Sequence, residues 1–129
     1  MSRVAASFDR VTPTERACAL SVEHPLLEVI EVPETGRVRV RLRGELDVAS
    51  APTVARRLRA LRGPGAHVLL DLDDLAFMDM AGLRMVLAAA EDASHDGWAF
   101  TITRGSPAVR RLIELVGADG RLPFDGSST

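Results

Sequence analysis

The stretch from His67 to Ala90 constrains the fold more than any other part of the chain. An apolar run, His67-Val-Leu-Leu-Asp-Leu-Asp73, has the composition of a buried strand. It passes through a loop, Asp74-Leu-Ala-Phe-Met-Asp79, into a helix that begins Met80-Ala-Gly-Leu-Arg84. The loop aims the helix N-terminus outward. Four backbone N–H groups at such an end lack intrahelical partners and carry about half a positive charge, so the spot suits an anion or a capping carboxylate. Asp79 is placed to cap it.

The neighbouring segments extend this unit in both directions. Residues 26–32 have strand composition, and Pro33-Glu-Thr-Gly36 supplies turn chemistry before a second strand over residues 37–47. In that strand Val38, Val40, Leu42 and Leu46 alternate with Arg37, Arg39, Arg41, Arg43 and Glu45, a period of two with one wet face; Gly44 interrupts the apolar side and marks a bulge. Ser50 is an N-cap candidate for a helix with Pro52 in its first turn and Val54, Leu58 and Leu61 on one stripe, ended by Gly63-Pro-Gly65. The central strand follows over residues 68–72, then a helix from Met80 to about Ser94 closed by Gly97, then a strand over residues 98–104. Ser106-Pro107 opens a third helix, with Val109, Leu112, Ile113 and Val116 on one face and Gly117 as its C-cap. The last structured piece is Leu122-Pro-Phe124. The order β-β-α-β-α-β-α predicts an α/β fold, a mixed four- to five-stranded sheet faced by three or more helices. Residues 1–25 are an arm, either disordered or adding one short strand; residues 26–124 form the domain, and residues 125–129 a frayed tail.

At 129 residues and 47% hydrophobic the chain is the size of one domain, able to bury a core without disulfides or metals. A formal charge of -2 gives no global attraction to nucleic acid or anionic membrane. The one cysteine, Cys18, forms no internal disulfide and is read as a buried or incidental thiol, which fits a cytoplasmic location. No run approaches the about 20 apolar residues of a membrane span.

The inventory for catalysis is poor: His24, His67 and His95 are scattered, and neither a nucleophile elbow nor a Gly-rich phosphate loop is present, so the chain is expected to be non-enzymatic. Asp71, Asp73, Asp74 and Asp79 are dense enough to raise a metal site, but turn chemistry and helix capping explain them more economically, and no metal or cofactor is expected. The arginine row at 37, 39, 41 and 43 has the chemistry of a phosphate grip; without interleaved aromatic residues it is read as a solvated face. On the second helix Leu83, Val86, Leu87 and Ala90 fall on the face that packs on the sheet, which places Ala81, Met85 and Ala88 opposite, with Asp92. Met85, flexible and flanked by small residues beside an outward-pointing helix start, is therefore a docking candidate.

Three motifs carry a family resemblance: Gly44-Glu-Leu-Asp47, Leu70-Asp-Leu72 and Phe77-Met-Asp-Met-Ala-Gly-Leu83. Over residues 26–124 the chain resembles a STAS domain, the family of bacterial anti-sigma-factor antagonists and of the cytoplasmic tails of sulfate transporters. The resemblance implies binding to a GHKL-type kinase that doubles as an anti-sigma factor, freeing a sigma factor for transcription. Together with Met85 from the helical phase, the expected docking surface comprises Asp47, Asp79, Met80, Ala81, Gly82 and Met85. In the family an Asp-Ser-Ser/Thr-Gly run carries a phosphorylation switch. Asp79 and Gly82 match its ends, Ala81 stands at the phosphoacceptor position and Met80 before it, so the hydroxyl is missing. The resemblance leaves open a permanently competent antagonist, or a ligand-sensing or scaffold module or transport-complex subunit outside partner switching. Homodimerisation is left open as well.

Overall fold

The computed structural model describes residues 20–126, with side chains from residue 25 onward. Five strands form one sheet in the order β1-β2-β3-β4-β5: β1 is Leu20–His24, β2 Leu27–Glu34, β3 Arg37–Leu46, β4 His67–Met78 and β5 Ala99–Ile102. The helices are α1 (Ala51–Leu61), α2 (Met80–Asp96) and α3 (Pro107–Leu115), with a 3-10 turn at Asp119–Arg121. The strand β1 lies within the expected N-terminal arm and pairs antiparallel with β2. Cys18 lies outside the described residues.

The hairpin β2–β3 forms as its pattern dictates, with Gly36 at φ 78° completing the turn. Strand β2 runs through Pro33 and Glu34, so the turn is shorter than expected. Because β3, β4 and β5 are mutually parallel, each connection crosses by a helix, and α1 and α2 pack on the same side as the core residues Val40, Leu42, Leu70, Leu83 and Val86. Gly44 sits where the β3–β4 register shifts, at φ 115°, and a Cβ there would lie 2.3 Å from the Leu26 carbonyl oxygen. Only glycine fits that approach.

Several expectations change in the structure. The segment expected to be a loop, 74–78, continues β4, pairing beside the end of β3 through two register shifts. Ser50 does not cap α1 with its side chain; its buried hydroxyl accepts from Asp47 N at 3.0 Å and donates to Glu45 O at 2.8 Å. Strand β5 is shorter than expected: after Ile102 the chain stays bonded to β4 without a regular ladder, Thr103 N donating to Leu70 O and Ser106 N to Leu72 O. Helix α3 is capped by Ser106 as expected but ends before Val116, which is exposed. Asp125, expected to begin a frayed tail, is held by its N–H to Ile102 O at 2.7 Å and by Arg37 at 3.3 Å.

The arginine row is not simply solvated. Register pairs Arg39 with Val32 and Arg41 with Ile30 on the sheet face opposite the helices, and all four arginines are half-buried. Arg37 donates to Glu34 at 2.9 Å, Arg39 to the same carboxylate and to buried Asp71 at 2.8 Å, and Arg43 lies 3.5 Å from Glu28. Sequence periodicity located this face correctly, but the carboxylates that neutralise it come from β2, β4 and the C-terminal segment. Burial raises the pKa of the Glu34 carboxyl, yet hydrogen bonds from Arg39 and Arg37 and their charges outweigh it and hold that carboxyl below its ordinary range.

Candidate docking site at the end of the parallel strands

Strands β3 and β4 finish side by side, Leu46 opposite Met78, and each turns directly into a helix. Asp47 and Asp79 occupy the two turns. The Asp47 Oδ1 accepts from Ala49 N at 3.0 Å and Ser50 N at 3.1 Å, while its carbonyl accepts from Ala51 N at 2.8 Å, so this side chain starts α1. Asp79 adopts extended backbone and its Oδ1 accepts from Gly82 N at 3.0 Å, the N-cap arrangement expected from the sequence. The two turns are tied together by Asp79 N donating to Leu46 O at 3.1 Å. Both helix N-termini therefore open at one end of the molecule, that of α2 capped by the Asp79 carboxylate and that of α1 satisfied by the Asp47 and Ser50 carbonyls.

Gly82 explains how closely these parts approach. A Cβ at that position would lie 2.8 Å from the Leu46 carbonyl oxygen, 2.9 Å from Leu46 Cγ and 3.0 Å from Met78 Cγ. The first turn of α2 thus rests on the ends of both strands, and Met80 and Ala81 are carried outward on it. Met80 is 37% exposed, and Ala81 is half-buried.

Exposed apolar side chains gather at the same end. Among the described residues six large apolar side chains are exposed, and four of them lie at this end: Val48 (73%), Leu26 (51%), Phe77 (46%) and Met80. Backbone pairing places them: Glu45 N donates to Leu26 O, Phe77 is the register partner of Glu45, and Val48 follows Asp47. Exposed apolar side chains at one end make it a candidate interaction surface. Sequence reasoning missed Leu26, Val48 and Phe77, although Val48 stands between a strand end and a helix cap, where it serves no core.

Met85 is not on a wet face. It is half-buried and packs against the core in the cleft between α1 and α2, beside Leu58 and Trp98. The helical phase was right about which residues meet the sheet, since Leu83 and Val86 are buried. It took no account of α1 as a second neighbour. Of the expected surface, the structure brings Asp47, Asp79, Met80, Ala81 and Gly82 together at one end and sets Met85 apart, in the interhelical cleft.

Three of the four aspartates considered for metal binding have other partners. Asp71 pairs with Arg39 and accepts from Asp73 N at 3.0 Å, Asp73 accepts from Gly105 N at 3.0 Å, and Asp79 caps α2.

The fold is a mixed sheet with helices on the core side, and its parallel strands β3 and β4 end in two helix starts at one end of the molecule. The model of the family described as "Mlab, STAS domain" matches residues 30–123, and the chain belongs to the STAS-domain family. It is 31% identical over 91 residues to an anti-sigma F factor antagonist of Paenibacillus polymyxa, covering 69% of this chain and 78% of that one. It is 29% identical over 80 residues to the anti-sigma-B factor antagonist of Bacillus subtilis (strain 168), covering 62% and 73% respectively. The crystal structure of an anti-sigma factor antagonist from Mycobacterium paratuberculosis shares the fold, with a TM-score of 0.64 at 24% identity, over 81% of this chain and 91% of that one. The chain is thus an anti-sigma-factor-antagonist-like STAS domain.

Proposed function

We propose that this chain is a cytoplasmic, non-enzymatic regulator that binds a GHKL-type serine kinase acting as an anti-sigma factor, through the end formed by Asp47, Val48, Phe77, Asp79, Met80, Ala81 and Gly82. The carrying observation is four exposed apolar side chains at the end where two helices start, on a domain whose relatives are antagonists of anti-sigma factors. Apolar side chains at such a centre supply binding energy, and the turns hold them in fixed positions.

The missing hydroxyl sets the regulation. A phosphate in the first turn of α2 would add about -1.5 to -2 charges beside the Asp47 and Asp79 carboxylates and the exposed apolar side chains, and would have to be desolvated for docking. Neither Met80 nor Ala81 can accept one. The hydroxyls of Ser50 and Ser94 do not substitute. That of Ser50 is buried and used on both sides, and Ser94 lies fourteen residues along α2 from Met80, about 21 Å away at 1.5 Å per residue. The protein is a locked-on antagonist, competent whatever the kinase does.

Restoring the hydroxyl tests this. Met80 is the more exposed of the two positions, so Met80→Ser presents a hydroxyl more openly than Ala81→Ser, and both are assayed. With ATP and the cognate kinase, at least one variant gains a single phosphate and then releases the kinase, while the wild type stays bound and unmodified. Phosphorylation of the wild type at any site, with release of the kinase, contradicts the locked-on reading; a complete lack of kinase binding contradicts the antagonist reading.

A further inference from the structure

A cavity of about 230 Å³ opens between α1 and α2, away from the capped end and unused by the docking described above. Its floor is Leu58, Met85 and Trp98, and its walls are alanines of both helices, of which Ala88 is exposed at the mouth. The small side chains matter: three alanines where larger residues would close the cleft keep two packed helices apart over an apolar floor. Its size lies between a 150 Å³ cavity that takes benzene and the roughly 300 Å³ at which drug-sized ligand sites begin. The occupant is therefore small, one ring or a short chain.

Charge at the rim selects the polar end of that occupant. Arg62 is committed, donating to Asp92 at 2.7 Å with Asp96 at 4.0 Å, and its hydrogen bond holds the Asp92 carboxyl below the ordinary range. Arg59 lines the same mouth and, among the described residues, no carboxylate pairs with it. Beneath them the Trp98 indole N–H is buried and reaches no acceptor with hydrogen-bond geometry, although it lies near enough to Asp92 to help lower it. An unengaged guanidinium above an apolar floor matches an amphiphile with one anionic oxygen pair.

We propose that the α1–α2 cleft is a binding site for a small carboxylate with a compact apolar body, its ring or chain on Leu58, Met85 and Trp98 and its carboxylate on Arg59. The site stands independently of kinase docking, since it shares with the expected docking surface only Met85, which the structure had already set apart from that end.

Trp98 reports on its own site, because the chain has one tryptophan and no tyrosine. Full-length protein is titrated with phenylacetate, with hexanoate, and with the neutral phenylacetamide, following tryptophan emission excited at 295 nm. The expected result is a saturable change with at least one of the two carboxylates and weaker binding of the amide. Arg59→Gln, an exposed change, weakens carboxylate binding by about fivefold and leaves amide binding unaltered, as loss of one solvent-facing ion pair would. Ala88→Phe plugs the mouth and abolishes the response while circular dichroism shows an intact fold. The proposal is overturned if neither carboxylate saturates below about 20 mM, if the amide binds as tightly as the acid, or if Ala88→Phe, folded, binds like wild type; unfolding of that variant passes the decision to Arg59→Gln.

Discussion

Gly82→Ala isolates the contact on which the capped end is built. The added methyl would sit 2.8 Å from a backbone carbonyl oxygen and 2.9 Å from Leu46 Cγ, where ordinary contact begins near 3.4 Å. The carbonyl belongs to the sheet and already accepts from Asp79 N, so α2 has to move rather than the strand. Overpacking of this kind costs about 1–3 kcal/mol. Against it stands the helix preference for alanine over glycine, at most about 1 kcal/mol and less in a first turn. The net expectation is a loss of about 1.5 kcal/mol, which at a slope of roughly 1.5 kcal/mol per M lowers the urea midpoint by about 1 M. Trp98 fluorescence follows the transition, since that ring is buried against the helix layer. Gly97→Ala is the contrast: nothing lies within 4 Å of its Cβ, but φ is 76°, so its cost is conformational and Gly97→Asn recovers part of it. Asparagine at 82 recovers nothing. An unchanged or raised midpoint for Gly82→Ala would show that α2 does not rest on Leu46, and the geometry assigned to the docking end would be refuted.

Arg39→Gln leaves the buried Asp71 carboxylate without its cation; with Arg39 about a quarter exposed, the cost is set near 2 kcal/mol, below the 3–5 of fully buried pairs, and a urea midpoint within error of wild type would return this face to solvated surface. The Glu34 carboxyl has a folded pKa below its unfolded one, so its contribution is complete above the unfolded value, about 4.3, and is lost as pH falls through the folded value. Stability measured by urea melts between pH 6 and pH 3 therefore declines on acidification, and less steeply in the Arg37→Gln/Arg39→Gln double variant; equal slopes would assign the acid sensitivity to other carboxylates. Met85→Asp places a charge against the core in the α1–α2 cleft and lowers stability by about 2–3 kcal/mol, whereas Phe77→Asp, 46% exposed and beside Glu45, lowers it by about 1. The opposite ranking by thermal melts would mean that Met85 faces solvent.

Where periodicity was unbroken, the chain could be read directly. The alternation from Val38 to Leu46, the Ser106-Pro107 start of α3 and the Asp79 cap all depend on neighbours within a few residues, and all are present. Beyond that range the sequence was silent. Residues 74–78 lose strict alternation because two register shifts rephase the β3–β4 ladder, so a strand continuation resembled a loop. Ser50 matched an N-cap by type, but its hydroxyl is taken by Asp47 N and Glu45 O, groups of the preceding strand end. Met85 depends on the position of α1, and the pairing of the arginine row on carboxylates as distant as Asp71 and Asp125. The docking end suffered in the same way: its aspartates, Met80, Ala81 and Gly82 were visible as a motif, while Leu26, Val48 and Phe77 join them only once the strands are paired.

The most direct test of the account is calorimetric titration of the cognate GHKL-type anti-sigma kinase with wild-type protein and with Phe77→Asp and Val48→Asp, all confirmed folded. The account predicts a saturating wild-type complex and at least a tenfold loss of affinity in each variant, the cost of putting a charge into an apolar contact of about 1.4 kcal/mol or more. Unchanged affinity in both folded variants would contradict the assignment of the surface, and the absence of any wild-type complex would contradict the assigned function.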